Sequence, residues 1–161
     1  MRKRSKRTWV ILATLLVAFM LTIVPFPDWA SPWRPPWVAI VMVYWCLAIP
    51  DRIGVLFGWF VGLILDVLVG SVLGQHALGL AFVCYVANFY HTRVRVFPLA
   101  QQSIFVASLC FFYLLLMWQI HGALGSILYD SRFLFGAISG GLLWPWIYVV
   151  LRDVRRRAKV S

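Results

Sequence analysis

Six residues spaced four apart, Gly54, Gly58, Gly62, Asp66, Gly70 and Gly74, run through one apolar stretch. A four-residue step keeps neighbours on one side of a helix, with a drift of about 40° per step because 3.6 residues make a turn. Each glycine costs a helix in water roughly 1 kcal/mol against alanine. Repeated at this spacing, it removes side chains and lets another helix approach closely. The pattern predicts a helix made to be packed against, by the chain's own helices, which is the commoner case, or by a partner's. For Gly54 and Gly58 the sequence does not choose between the two. Asp66 interrupts the run with the one charged residue inside the long apolar runs. A carboxylate at such depth is expensive, and its default reading is functional.

Hydrophobic residues make up 63% of the 161, and the mean hydropathy is +0.87. A soluble domain of this size cannot hide that much apolar surface, so lipid must be its solvent. The chain has no glutamate, and fifteen Lys and Arg against five acids leave a net charge of +10. In a soluble protein that excess would point to nucleic acid. Here Arg2, Lys3, Arg4, Lys6 and Arg7 precede the first apolar run, and Arg155, Arg156 and Arg157 follow the last. Cations beside membrane spans predict topology anchors and contact with anionic lipid headgroups, not nucleic acid. The C-terminal run could also dock a cytoplasmic partner. Cys46, Cys84 and Cys110 all lie in apolar stretches, are odd in number and lack metal-ligand spacing. They read as small buried hydrophobes without a disulfide.

A helix crossing a bilayer needs about 20 residues, within a range of about 17 to 25. Six segments qualify or come close: Thr8–Val24, Trp33–Ile49, Ile53–Val72, His76–Tyr90, Ile104–Ile120 and Phe133–Leu151. The first follows a basic stretch as a signal peptide would, but it ends in Pro25-Phe26-Pro27-Asp28 without a small-x-small site, and is expected to be retained. With the N-terminus in the cytoplasm, thirteen of the fifteen Lys and Arg fall on the cytoplasmic side, leaving only Arg34 and Arg132 outside. That distribution obeys the positive-inside rule, whereas removing the second or fourth span would export one basic end. The expected fold is a single all-α integral membrane domain, a bundle of six transmembrane helices with both termini cytoplasmic.

Asp66 stands six residues before the outer end of the third span, about 9 Å below it at 1.5 Å per residue. If the second and third spans form a hairpin turning at Asp51, Asp66 lies level with Pro36 and close to Arg34. Three readings follow: an Asp66–Arg34 ion pair clamping the hairpin, a proton or ion relay, or a carboxylate bonded to nearby backbone or Ser71. Near the other end of the chain, residues 141–146 read GLLWPW. Pro145 removes a backbone bond and should kink the sixth span, with Trp144 and Trp146 pointing to different sides. That is either a packed kink or a hinge or docking site. His76, His91 and His121 sit apart at segment ends, and no HExxH, GxSxG, Walker loop or carboxylate pair is present. The chain is therefore expected to be no enzyme and to carry no metal or cofactor.

RPPWV at 34–38, YW at 44–45 leading to Pro50, GLILDVLVGSVLG at 62–74, GLLWPW at 141–146 and the basic C-terminal end occur in an order that resembles the rod shape-determining MreD family of Gram-negative bacteria. That resemblance implies a non-enzymatic inner-membrane subunit of the elongation machinery. Its partners would be MreC directly, and MreB, RodA and a class B penicillin-binding transpeptidase through a complex that builds peptidoglycan along the cell cylinder. It also implies a fold similar to the substrate-binding subunits of energy-coupling-factor vitamin transporters. Ala13 and Ala18, five apart in the first span, match poorly the small residues with which such subunits meet their coupling partner. The competing functions are a scaffold, a small-molecule-binding subunit of a vitamin-type transporter with an outward pocket near Asp66, and an intramembrane enzyme. Self-association as a homodimer is left open.

Overall fold

A computed structural model describes residues 2–125 and 131–158, the side chains of residues 2–7 excepted. These residues form six α-helices: α1 (Arg2–Ile23), α2 (Trp37–Ala48), α3 (Val55–Val69), α4 (Gln75–Val94), α5 (Leu99–Ala123) and α6 (Gly136–Arg157), with short 3₁₀ turns at Ser31–Trp33 and Ser131–Phe135. Two stretches, Leu99–Ala123 and Ser131–Arg157, are long and apolar enough to cross a membrane. The apolar part of α1, Thr8–Ile23, and α3 are shorter.

Prolines and glycines set the helix boundaries. Pro35 and Pro36 have no N–H and push the residue before them out of the helical region. Arg34 is accordingly extended (φ −64°, ψ 114°), and α2 begins at Trp37 rather than at Trp33. The third helix stops at Val69, short of the expected Val72, because Gly70 takes a left-handed conformation (φ 70°) and returns its N–H to the Asp66 carbonyl. Gly74 is left-handed too (φ 100°) and opens α4. The fifth helix starts earlier than expected, directly after Pro98.

The shortest helix is the axis of the bundle. Every residue from Val38 to Leu47 in α2 is buried, as suits a helix apolar all round. It is surrounded by α1, α4, α5 and α6. α3 packs chiefly on α4, and α6 on α5. The second and third helices thus do not make the close hairpin expected from the sequence, because α4 takes the place beside both. On the outside, Leu56, Phe60, Ile64 and Val67 of α3 and Trp9, Leu12, Leu16 and Met20 of α1 are exposed. An apolar exterior of this extent belongs in lipid.

Few polar side chains are buried, and they join elements. Trp45 Nε1 donates to Thr14 Oγ1 of α1 at 2.9 Å. Gln102 of α5 donates its amide to the Val94 and Phe97 carbonyls at the end of α4, and accepts from Trp144 Nε1 of α6 at 3.3 Å. The three cysteines are free and buried. Cys84 lies between Gly58 of α3 and Cys46 of α2.

Candidate functional site

The glycine ladder divides into helix contacts and turn residues. A Cβ on Gly62 would run into the backbone of Ala77 and His76, and one on Gly58 would meet Cys84 Sγ at 2.5 Å. Both glycines therefore seat the chain's own α4. Gly54 lies ahead of α3 with open space where a Cβ would be, and Gly70 and Gly74 serve the α3–α4 turn. The expectation of one continuous packing stripe is thus corrected: Gly58 and Gly62 pack, and Gly54, Gly70 and Gly74 bound helices.

Asp66 stands one helical turn beyond Gly62 and is fully buried. Close approach at Gly62 brings the first N–H groups of α4 to its carboxylate. Oδ1 accepts from His76 N and Ser71 Oγ, each at 2.8 Å, and Oδ2 accepts from Gly74 N at 2.8 Å and Ala77 N at 3.4 Å. His76 Nδ1 lies 2.8 Å from Oδ1, and facing an ionised carboxylate it is the donor. The first N–H groups of a helix have no partner within it and carry its positive dipole end. Gly74 offers no side chain to cap α4, so Asp66 caps it from the preceding helix. Of the three readings of Asp66, the bonded-to-backbone-and-Ser71 one describes these contacts.

The Asp66–Arg34 ion pair is not formed. Arg34 Nη2 donates instead to the carbonyls of Val24 at 3.0 Å and Leu21 at 3.4 Å, at the end of α1. Arg34, Leu65, Val69 and His76 line one cavity of about 140 Å³. His121 of α5 lines it too, with its Nδ1 2.7 Å from the Gln75 amide. Histidines 45 positions apart thus line one small cavity, which their placement at separate segment ends concealed.

The GLLWPW stretch lies within α6, which stays helical through Pro145. Trp144 is fully buried against Tyr44 and Tyr148, whereas Trp146 is 76% exposed. The two indoles do point to opposite sides. Gly140 and Gly141 upstream let α5 approach: a Cβ on Gly141 would meet Ala107 Cβ at 2.7 Å. Trp146 stands on the rim of an apolar groove of about 480 Å³ between α1 and α6. Its α1 wall includes Ala13, Val17 and Leu21, its α6 wall Ile147 and Val150, and its floor is Trp37 and Val41 of α2. The basic side chains at positions 2–7 lie outside the described residues, while Arg156 and Arg157 at the end of α6 are exposed and Arg155 is partly so.

A protein-family model described as rod shape-determining protein MreD matches residues 3–154. A curated protein of Haemophilus influenzae (strain ATCC 51907 / DSM 11121 / KW20 / Rd), named Rod shape-determining protein MreD, is 32% identical over 161 residues, which is 99% of either chain. No solved structure matches the chain. The family match runs from α1 almost to the end of α6, taking in the Asp66 joint, the α1–α6 groove and Trp144 alike, and so the chain belongs to the MreD family.

Proposed function

We propose that this protein is a non-enzymatic scaffold of the rod complex in the bacterial inner membrane, crossing it six times with both termini in the cytoplasm. In this reading it supports peptidoglycan synthesis and rod shape by holding the single transmembrane helix of MreC. MreB, RodA and a class B transpeptidase join through the complex, and the basic ends rest on anionic lipid headgroups. The observation that carries the docking reading is the groove between α1 and α6. It is walled by apolar side chains with α2 as its floor, while the glycine face of α3 is already covered by α4. The groove, rather than α3, is therefore the place for a partner helix. Lipid is already apolar, so shape-matched packing would hold that helix there.

Photocrosslinkers at Val17, Trp146 and Val150 should capture MreC in cells, and those at Leu56 and Phe60 of α3 should not. Capture from α3 alone would refute docking in the groove. Depletion should round the cells while nutrient uptake stays normal.

The alternative, a small-molecule-binding subunit of a vitamin-type transporter, draws on the cavity lined by Arg34, His76 and His121. At about 140 Å³ that cavity is smaller than the roughly 300–1,000 Å³ usual for small-molecule sites, which favours the scaffold. Co-purification of a vitamin-sized ligand would reverse that preference.

A further inference from the structure

A more polar cavity lies at the opposite end of the bundle, beside the basic C-terminal turn of α6. It measures about 470 Å³ and is lined by Tyr44, Leu47 and Ala48 of α2, Arg95 and Gln102 flanking the α4–α5 turn, and Tyr148 and Arg155 of α6. We infer that this cavity binds the phosphate of an anionic phospholipid headgroup, held by Arg155, Arg95 and the Tyr44 hydroxyl. The inference rests on the proposed contact of the basic ends with anionic lipid and gives that contact a built site.

The first support is an orphaned donor. Tyr44 is 2% exposed and its hydroxyl has no partner. A buried polar group left unmet costs about 1–3 kcal/mol and calls for an explanation such as a bound ion. The second is uncompensated charge. Arg95 donates Nε and Nη2 to the Leu47 and Ala48 carbonyls at the end of α2. That anchors its guanidinium at the cavity and leaves Nη1 for a ligand. Arg152, one turn before Arg155, lies over the Tyr148 ring at 6.0 Å, and its Nε is also buried without a partner. Asp153 is the nearby acid, but it is exposed, and the one ion pair among the described residues is His76–Asp66 at the far end. Gln102 is committed to backbone and Trp144, so it forms wall and not ligand.

Depth favours a lipid over a free anion. The cavity sits where α6 passes from exposed Val149 and Val150 to Arg152, Arg155 and Arg156. That is the level at which acyl chains give way to headgroups, and basic pockets between spans there suit lipid phosphates.

The test uses the full chain in nanodiscs, comparing phosphatidylcholine alone with phosphatidylcholine containing phosphatidylglycerol or cardiolipin. Thermal unfolding and native mass spectrometry of the retained lipid are the readouts. Anionic lipid should raise the Tm and stay bound. Arg155→Gln should lower retention by about tenfold, as expected for losing a charged hydrogen bond. Arg156→Gln removes the same charge from an exposed position and should change retention less than about twofold. Tyr44→Phe should unfold no earlier than the wild type in phosphatidylcholine, because its unmet hydroxyl is gone, yet lose most of the gain from anionic lipid. Equal losses for Arg155→Gln and Arg156→Gln would overturn the pocket while leaving a diffuse lipid contact standing. Tm and retention that do not respond to anionic lipid would overturn both. Inorganic phosphate alone raising the Tm as much as phosphatidylglycerol would overturn the lipid as its source, and displacement of the lipid by an acidic peptide would assign the cavity to a protein partner.

Discussion

Asp66 shows how a carboxylate can be kept fully buried among apolar helices. It is screened by four donors from the start of α4 and the turn before it, and by the His76 ring. Asp66→Ala should destabilise the protein in micelles by on the order of 3 kcal/mol, since several buried donors lose their acceptor together. Asp66→Asn keeps one acceptor but aims an amide N–H at other donors, so a loss of about 1–3 kcal/mol is expected. Because Arg34 bonds elsewhere, the effects of Arg34→Ala and Asp66→Asn on unfolding should add within about 0.5 kcal/mol. A coupling well above that would restore the ion pair. The glycines differ in the same measurement. Gly62→Ala would press on the backbone of α4 and should cost about 1–3 kcal/mol, whereas Gly54→Ala meets open space at ordinary backbone angles (φ −96°) and should be neutral or slightly stabilising.

At the level of helices, the sequence was most legible where the apolar period is long, and least where a turn ends it. The second apolar segment was visible, though not its start at Trp37, and its all-round burial follows from its lack of charged residues. The ladder looked like one helix because spacing alone does not report a sign of φ: Gly70 and Gly74 are left-handed, and four-residue spacing is the same in a helix and across a turn. The choice of neighbour was not legible either. Whether Gly62 faces α2, α4 or a partner depends on which helix folds back on α3, and the short Gly70–Gly74 turn gives that place to α4. In α6, Trp144 and Trp146 could be assigned to opposite sides by helical geometry, but the bond from Trp144 to Gln102 joins residues 42 apart. The two indoles make opposite predictions. Trp144→Ala should lower stability by about 3–5 kcal/mol, seen as a lower unfolding temperature. Trp146→Ala should leave that temperature nearly unchanged and reduce crosslinking of MreC at Val150.

For the molecule as a whole, two cavities lie at the two ends of the buried α2, one beside Arg34 and Trp37 and one beside Leu47, Ala48 and Arg155. In the proposed topology the headgroup site lies on the cytoplasmic side and the Asp66 joint on the outer side. Reporter fusions give the corresponding test of orientation. A fluorescent protein after Ser161 should light up in the cytoplasm, and alkaline phosphatase inserted next to Asp28 should be active outside. The opposite pattern would invert the proposed topology. The proposed orientation rests on the basic residues of the sequence alone, whereas the cavities were not legible there, since each draws its lining from at least three helices.

The cap on α4 is completed by contacts no more than 11 residues apart in the chain. Nothing from later in the sequence is needed to close it. A nascent chain could therefore leave the translocon with these two helices already zipped together and the carboxylate shielded before it meets the acyl phase. Biogenesis of the second half of the protein would then proceed on a hairpin that has already been assembled.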